Sequence, residues 1–216
     1  MKSLRYVLGL TASAAMLQAG SAEAAHLPEG WVAYDRAREI EIALSAGPKH
    51  LRDKAGVYVL DNGRFELARP SGNGFTCIVV RSGAIQAPEC YDAEGAATTL
   101  PVVLREMQLA LEGKPAAEVD RIVGEEYAAG RLLAPRRPGI VYMLSREFLQ
   151  HEHGGAAKTV FPPHLMFYAP NLTNADIGAR PEHFNDPSFP FVLHQGKPYA
   201  YIIVVPRDLE ALTGER

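Results

Sequence analysis

The sequence predicts one compact α+β domain, built as a single antiparallel sheet with its helices packed on one face. Two observations indicate this fold class. Strand-like segments are grouped before and after a pair of helical segments, and the regular alternation of strand and helix that is typical of parallel sheets is missing. The chain of 216 residues also shows no linker or internal repeat that would divide it into two domains.

The N-terminal half is predicted to contain one helix and a meander of three strands. Apolar residues recur at helical spacing over residues 31–46, although Glu39-Ile40-Glu41-Ile42 alternates as a strand would. The strand segments cover residues 56–60, 64–68 and 75–81. Asn62-Gly63 predicts a tight hairpin between the first two strands, and the turn-rich residues 70–74 are expected to extend this hairpin to the third.

The C-terminal half continues with two helices and then further strands. The helices are predicted over residues 99–112 and 116–129, joined by a connection too short to separate them. Strand segments follow at residues 140–145, 165–168, 191–194 and 199–205. This order of helix, strands, helices and strands resembles that of profilin-like and PAS-like folds, and a shared order of elements implies no function.

The first 24 residues have the layout of a secretory signal peptide. Lys2 and Arg5 precede a short apolar run, and Ala22-Glu23-Ala24 matches the small-residue pattern of a cleavage site. A membrane helix needs roughly 20 apolar residues, so an uncleaved anchor is the weaker alternative and no membrane span is expected after cleavage. We therefore predict a domain of residues 25–216 that is periplasmic or secreted.

Cys77 and Cys90 are predicted to form a disulfide. Export supplies an oxidising compartment, and in such compartments two cysteines close in sequence usually join. A reactive thiol or a metal ligand is the alternative, although neither cysteine has a histidine beside it.

His151, His153 and His164 are weak candidates for a metal site. Side chains two residues apart in an extended segment point the same way, so His151 and His153 could join His164 in a three-nitrogen zinc site. The spacing does not match a metal motif such as H-E-x-x-H, and residues 149–158 are more typical of a solvated hairpin loop. No cofactor is therefore expected.

A second group of residues could contact a small ligand. His164, Met166 and Tyr168 are expected to share one face of their strand, where they could line a pocket. A histidine that is buried and hydrogen-bonded within a sheet is the more common arrangement.

Two charged residues complete the predicted ligand-binding set. Arg136 lies near other arginines and could clamp a carboxylate or a phosphate. Asp92 forms a carboxylate pair with Glu94, which could do acid/base chemistry or simply mark a turn and a helix start. No catalytic residue can be assigned from the sequence.

Two segments resemble exported bacterial proteins of unknown function: Gly72-Asn73-Gly74-Phe75-Thr76-Cys77 and Pro163-His164-Leu165-Met166-Phe167-Tyr168-Ala169-Pro170. The similarity runs over residues 45–178. This resemblance implies that both segments belong to one recurring architecture, and it implies no activity, cofactor or site residue. The histidines at positions 151 and 153 lie outside the two matching segments.

Composition and motifs narrow the functional classes. The formal net charge of −3, mixed in sign, does not predict a nucleic-acid surface, and the G-x-S-x-G, S-x-x-K and P-loop motifs do not occur. The leading hypothesis is a non-enzymatic domain that binds a small ligand or an unidentified protein partner. The alternatives are a metal-assisted hydrolase that uses the three histidines and a structural envelope protein without a ligand.

Overall fold

The computed structural model describes residues 27–151, 157–183, 186 and 189–208. The predicted signal peptide lies outside these residues, and so does His153. The described residues form an α+β fold with five α-helices and a ten-stranded mixed sheet. The helices are α1 (Arg36–Ser45), α2 (Lys49–Arg52), α3 (Ala93–Ala97), α4 (Thr99–Leu111) and α5 (Ala116–Ala128).

The strands of the described residues follow the sequence predictions closely, with additions. They are β1 (Gly56–Asp61), β2 (Arg64–Arg69), β3 (Thr76–Ser82), β4 (Ile85–Tyr91), β5 (Ile140–Met143), β6 (Leu149–Gln150), β7 (Lys158–Thr159), β8 (His164–Tyr168), β9 (Phe191–Leu193) and β10 (Tyr201–Val204). Their order in the sheet is β2-β1-β3-β4-β5-β8-β10-β9, and the short β6–β7 hairpin pairs with β4.

The predicted hairpin between the first two strands is confirmed. Asn62 and Gly63 both have positive φ, at 47° and 74°, which is the conformation that a tight hairpin turn requires. Asp61 and Arg64 pair directly across this turn.

The expectation of a purely antiparallel sheet is wrong, because β3 does not continue the meander. β3 pairs with β1 in parallel, with Gly56 opposite Thr76 and Val57 opposite Cys77. The connection after β2 crosses back over the start of β1, where the Gly56 amide donates to the Phe75 carbonyl at 2.8 Å. The chain therefore returns on the far side of β1 and leaves β2 at the sheet edge.

The expectation that the helices occupy one face is also wrong. α1 packs on β1, β3 and β4, on the face of the sheet that carries Cys77 and Cys90, which we call the disulfide face. α4 lies across the opposite face, the α4 face, which carries Ile78, Tyr91 and Met166. α5 packs on the outer side of α4. The central strands are thus covered on both faces.

The disulfide prediction is confirmed. Cys77 and Cys90 are paired with an S–S distance of 2.05 Å, and both residues are fully buried under α1. None of the helices in the described part of the chain has the length and apolar character needed to span a bilayer.

A buried ion pair joins α1 to β3. Glu39 and Arg81 are 0% and 3% exposed, and two hydrogen bonds connect their side chains, at 2.6 and 2.8 Å. Arg81 also donates to the Val79 and Val32 carbonyls. The charges of both side chains are therefore compensated inside the protein.

Candidate ligand-binding cavity

The structure places His164 and Met166 in the core on the α4 face. They are 3% and 2% exposed. The Nδ1 atom of His164 lies 2.8 Å from the Pro162 carbonyl oxygen, and its ring contacts Phe148 and Phe161. Burial lowers the pKa of His164, which favours the neutral ring. These contacts are those of a buried, hydrogen-bonded histidine.

Tyr168 and Asp92 meet, and their contact ties β8 to the start of α3. The Tyr168 hydroxyl donates to Asp92 at 3.0 Å, and Asp92 also accepts from the Gly95 and Ile140 amides, each at 2.9 Å. Gly95 is required here, since a Cβ at this position would lie 1.8 Å from the Tyr168 hydroxyl oxygen. Asp92 therefore caps α3 and holds the tyrosine in place.

Arg136 does not join this contact, because its segment binds a different carboxylate. Its backbone amide donates to Glu94 at 2.7 Å, and the Arg137 side chain donates to the same carboxylate at 3.0 Å. These two hydrogen bonds lower the pKa of Glu94. The Arg136 side chain itself is exposed and takes no part in these two hydrogen bonds, so the anion clamp stays a prediction.

The candidate metal ligands do not come together within the described residues. The Nε2 atom of His151 lies 3.2 Å from Gln86 Oε1, whereas His164 contacts Pro162. Within residues 27–151, 157–183, 186 and 189–208, no three His, Cys, Asp or Glu side chains could hold a metal ion. Because His153 lies outside those ranges, the three-histidine site stays a prediction.

A cavity of about 1000 Å³ runs along α4, and none of the five residues of the predicted ligand set lines it. One part of its wall is apolar and is formed by Trp31, Val80, Val103, Met107 and Ala110. The lining also includes four polar side chains that lie close enough to influence one another electrostatically, and we call this group the α5 end: Glu106, Asp120, His194 and Tyr199. The cavity therefore offers a ligand an apolar surface next to an acidic one.

Glu106 projects from α4 into this cavity. It forms no hydrogen bond or ion pair with any described residue. Burial raises the pKa of Glu106 to about 7, and the negative charge of Asp120 contributes to the rise. A carboxyl group with a strongly perturbed pKa in a cleft is a physical indication of a functional site.

A second buried carboxyl, that of Glu89, lies on β4. It is 9% exposed and accepts a hydrogen bond from the Tyr91 hydroxyl. Burial raises the pKa of Glu89 to about 7; the Tyr91 hydrogen bond opposes this rise and the charge of Glu106 adds to it. The protonated form is thus favoured in the folded protein.

The raised pKa of Glu89 predicts a loss of stability as the pH rises. The folded protein holds this proton between the ordinary pKa of 4.5 and about 7, whereas the unfolded chain releases it. The stabilisation that the protonated Glu89 carboxyl provides is complete below pH 4.5 and is lost by about pH 7. At pH about 4 we expect Glu89→Gln and the wild type to have the same free energy of unfolding. At pH about 8 we expect the variant to have the higher free energy of unfolding, by about 2–3 kcal/mol, as measured by urea denaturation. Parallel stability curves for the two proteins would contradict this assignment.

Stacked aromatic rings border the α5 end of the cavity. Tyr127 of α5 stacks on Tyr199, with ring centroids 5.6 Å apart and an interplanar angle of 15°. The buried hydroxyl of Tyr127 has no hydrogen-bond partner among the described residues. The centroid of the His194 ring lies 5.1 Å from that of the Tyr199 ring. The backbone of His194 is left-handed, with φ of 55°.

No family model, curated protein sequence or solved structure matches the chain. The resemblance to exported bacterial proteins and the analogy with profilin-like and PAS-like folds therefore stay predictions.

The sequence around Glu106 carries a signal for a buried acid. Residues three and four apart share a helix face, and this spacing places Glu106 beside Val103, Met107 and Ala110. A carboxyl group among apolar residues on one helix face indicates a buried acid. Glu89 has no such signal, because Gln86 and Pro88 interrupt the apolar pattern that would predict its strand.

Proposed function

We propose that this protein is an exported, non-enzymatic domain that binds a small molecule in the cavity along α4. The observation that carries the proposal is the cavity itself, whose volume of about 1000 Å³ lies at the upper end of the range for ligand pockets. Its wall combines an apolar surface with polar and charged side chains, and such polar groups can orient a small ligand.

Export is part of this proposal and is supported by the disulfide. Bonds such as Cys77–Cys90 persist in the periplasm and outside the cell and are rare in the cytosol. The basic, apolar and small-residue segments of the first 24 residues supply the signal. N-terminal sequencing of the mature protein is expected to begin at Ala25.

A fragment library tests ligand binding through the melting temperature. A ligand at about 100 times its Kd stabilises a protein by about 2.7 kcal/mol, which for a domain of this size raises Tm by roughly 5–10 °C. We expect at least one neutral or cationic fragment to produce such a shift in the wild type.

A matched pair of variants locates the binding. Ala110→Phe places a larger side chain on the cavity wall, whereas Ala117→Phe adds the same group at an exposed position of α5 outside the wall. The fragment shift is expected to disappear in Ala110→Phe and to persist in Ala117→Phe. Shifts of equal size in both variants, or no shift in the wild type, would overturn the proposal.

A further inference from the structure

We propose that the α5 end of the cavity binds an organic ammonium group, with the apolar part of the ligand lying against Trp31, Val103 and Met107. This inference deepens the proposed function and depends on it. It names the chemical class of the ligand: a cation with an aromatic or aliphatic body.

The α5 end carries two carboxyl groups. Glu106 and Asp120 both line the cavity, and neither forms an ion pair or a hydrogen bond with a described residue. Two carboxyl groups that face the same space repel each other when both are ionised. A cation between them would remove this repulsion, whereas an anionic ligand would increase it.

The lysine and the arginine that line the cavity are already paired with carboxylates. Lys114 donates to Glu118 at 2.9 Å. The guanidinium of Arg81 is bonded to Glu39 on the opposite side of the sheet. Neither side chain is therefore available to compensate Glu106 or Asp120, so the positive charge is left for a ligand to supply.

Aromatic rings at the α5 end favour a cation independently of the two acids. Tyr199 lines the α5 end with Tyr127 stacked behind it and the His194 ring 5.1 Å away. Ammonium groups bind the faces of aromatic rings, and sites for quaternary ammonium ions are built in this way. Acidic and aromatic side chains beside the apolar part of the cavity wall together favour a cationic ligand over a neutral one.

The chain contains one tryptophan, and it lines the cavity, so its fluorescence reports binding at this site. Two probes of the same shape separate charge from size: phenyltrimethylammonium and its neutral isostere tert-butylbenzene. Their Kd values would be measured from Trp31 emission at pH about 8, one unit above the pKa of Glu106 at about 7. We expect the cation to bind about tenfold more tightly than the neutral probe.

Charge-neutralising variants test which residues supply the preference. Glu106→Gln combined with Asp120→Asn keeps the side-chain shapes and is expected to bring the Kd ratio of the two probes close to one. The control is Glu125→Gln on α5, the helix that also carries Asp120. Glu125 pairs with Arg121 outside the cavity, so this variant is expected to keep the Kd ratio of the wild type.

The outcomes distinguish the two proposals. Equal affinity for both probes in the wild type, with both lost in Ala110→Phe, would overturn the ammonium inference and leave ligand binding standing. A cation preference that survives in the Glu106→Gln/Asp120→Asn variant would overturn the inference as well. If neither probe changes Trp31 emission, and no fragment raises Tm, both proposals fail.

Discussion

Replacing Glu39 by methionine is expected to lower the free energy of unfolding by about 3–5 kcal/mol. The variant leaves the Arg81 guanidinium, 3% exposed, without its negative partner. A buried charge that has lost its partner keeps the cost of its desolvation and gains nothing in return. Arg81→Met is expected to lower the free energy of unfolding by a similar amount, because it leaves the buried Glu39 carboxylate without its positive partner.

A double-mutant cycle separates the ion pair from the individual side chains. The double replacement Glu39→Met/Arg81→Met removes both charges and is expected to recover most of the loss, since apolar residues often replace a buried ion pair at little cost. Urea denaturation of the four proteins gives the coupling energy. The surface variant Glu125→Gln serves as the control and should denature close to the wild type. Additive losses in the double variant would show that the two residues do not depend on each other.

Removing the disulfide is expected to lower the free energy of unfolding by about 3 kcal/mol. The bond closes a short loop, with a sequence separation of 13, and it holds the adjacent strands β3 and β4 together. In the chain-entropy model this cross-link acts mainly by restricting the unfolded chain. The variant Cys77→Ala/Cys90→Ala would be compared with the wild type by urea denaturation.

The reduced wild-type protein is the matched control for this comparison. It retains both sulfur atoms and therefore separates the loss of the cross-link from the loss of side-chain volume under α1. We expect the reduced protein to lose most of the stability that the alanine variant loses. A reduced protein as stable as the oxidised one would show that the bond is dispensable for the fold.

Where local chemistry determined the structure, the sequence predicted it. The β1–β2 hairpin follows from Asn62-Gly63, and α4 and α5 agree with their predicted ranges to within one residue. β4 was missed because Gln86, Pro88 and Glu89 interrupt any apolar pattern. Gln86 can lie in this covered strand because Tyr34, 52 residues earlier in the chain, donates to it. Glu89 can do so because Tyr91 of the same strand donates to it.

The predicted packing was less accurate than the predicted elements, for the same reason. The apolar residues at helical spacing over residues 31–46 include Ala37, which is exposed, while the buried side of α1 carries Glu39 and Ile42. An acid on the buried side is acceptable only because Arg81 lies opposite, 42 residues later in the chain. The candidate site shows the same limit, since residues from four separate segments form the cavity wall.

The most direct test of the account is a crystal structure of the mature protein soaked with 4-bromophenyltrimethylammonium, because bromine gives an anomalous signal. We expect the bromine peak against the apolar wall near Met107, with density for the ammonium group between Glu106 and Tyr199. An empty cavity beside a bromine peak elsewhere on the protein, or a cavity filled by the side chains of the protein itself, would contradict the claim that this space is the ligand site.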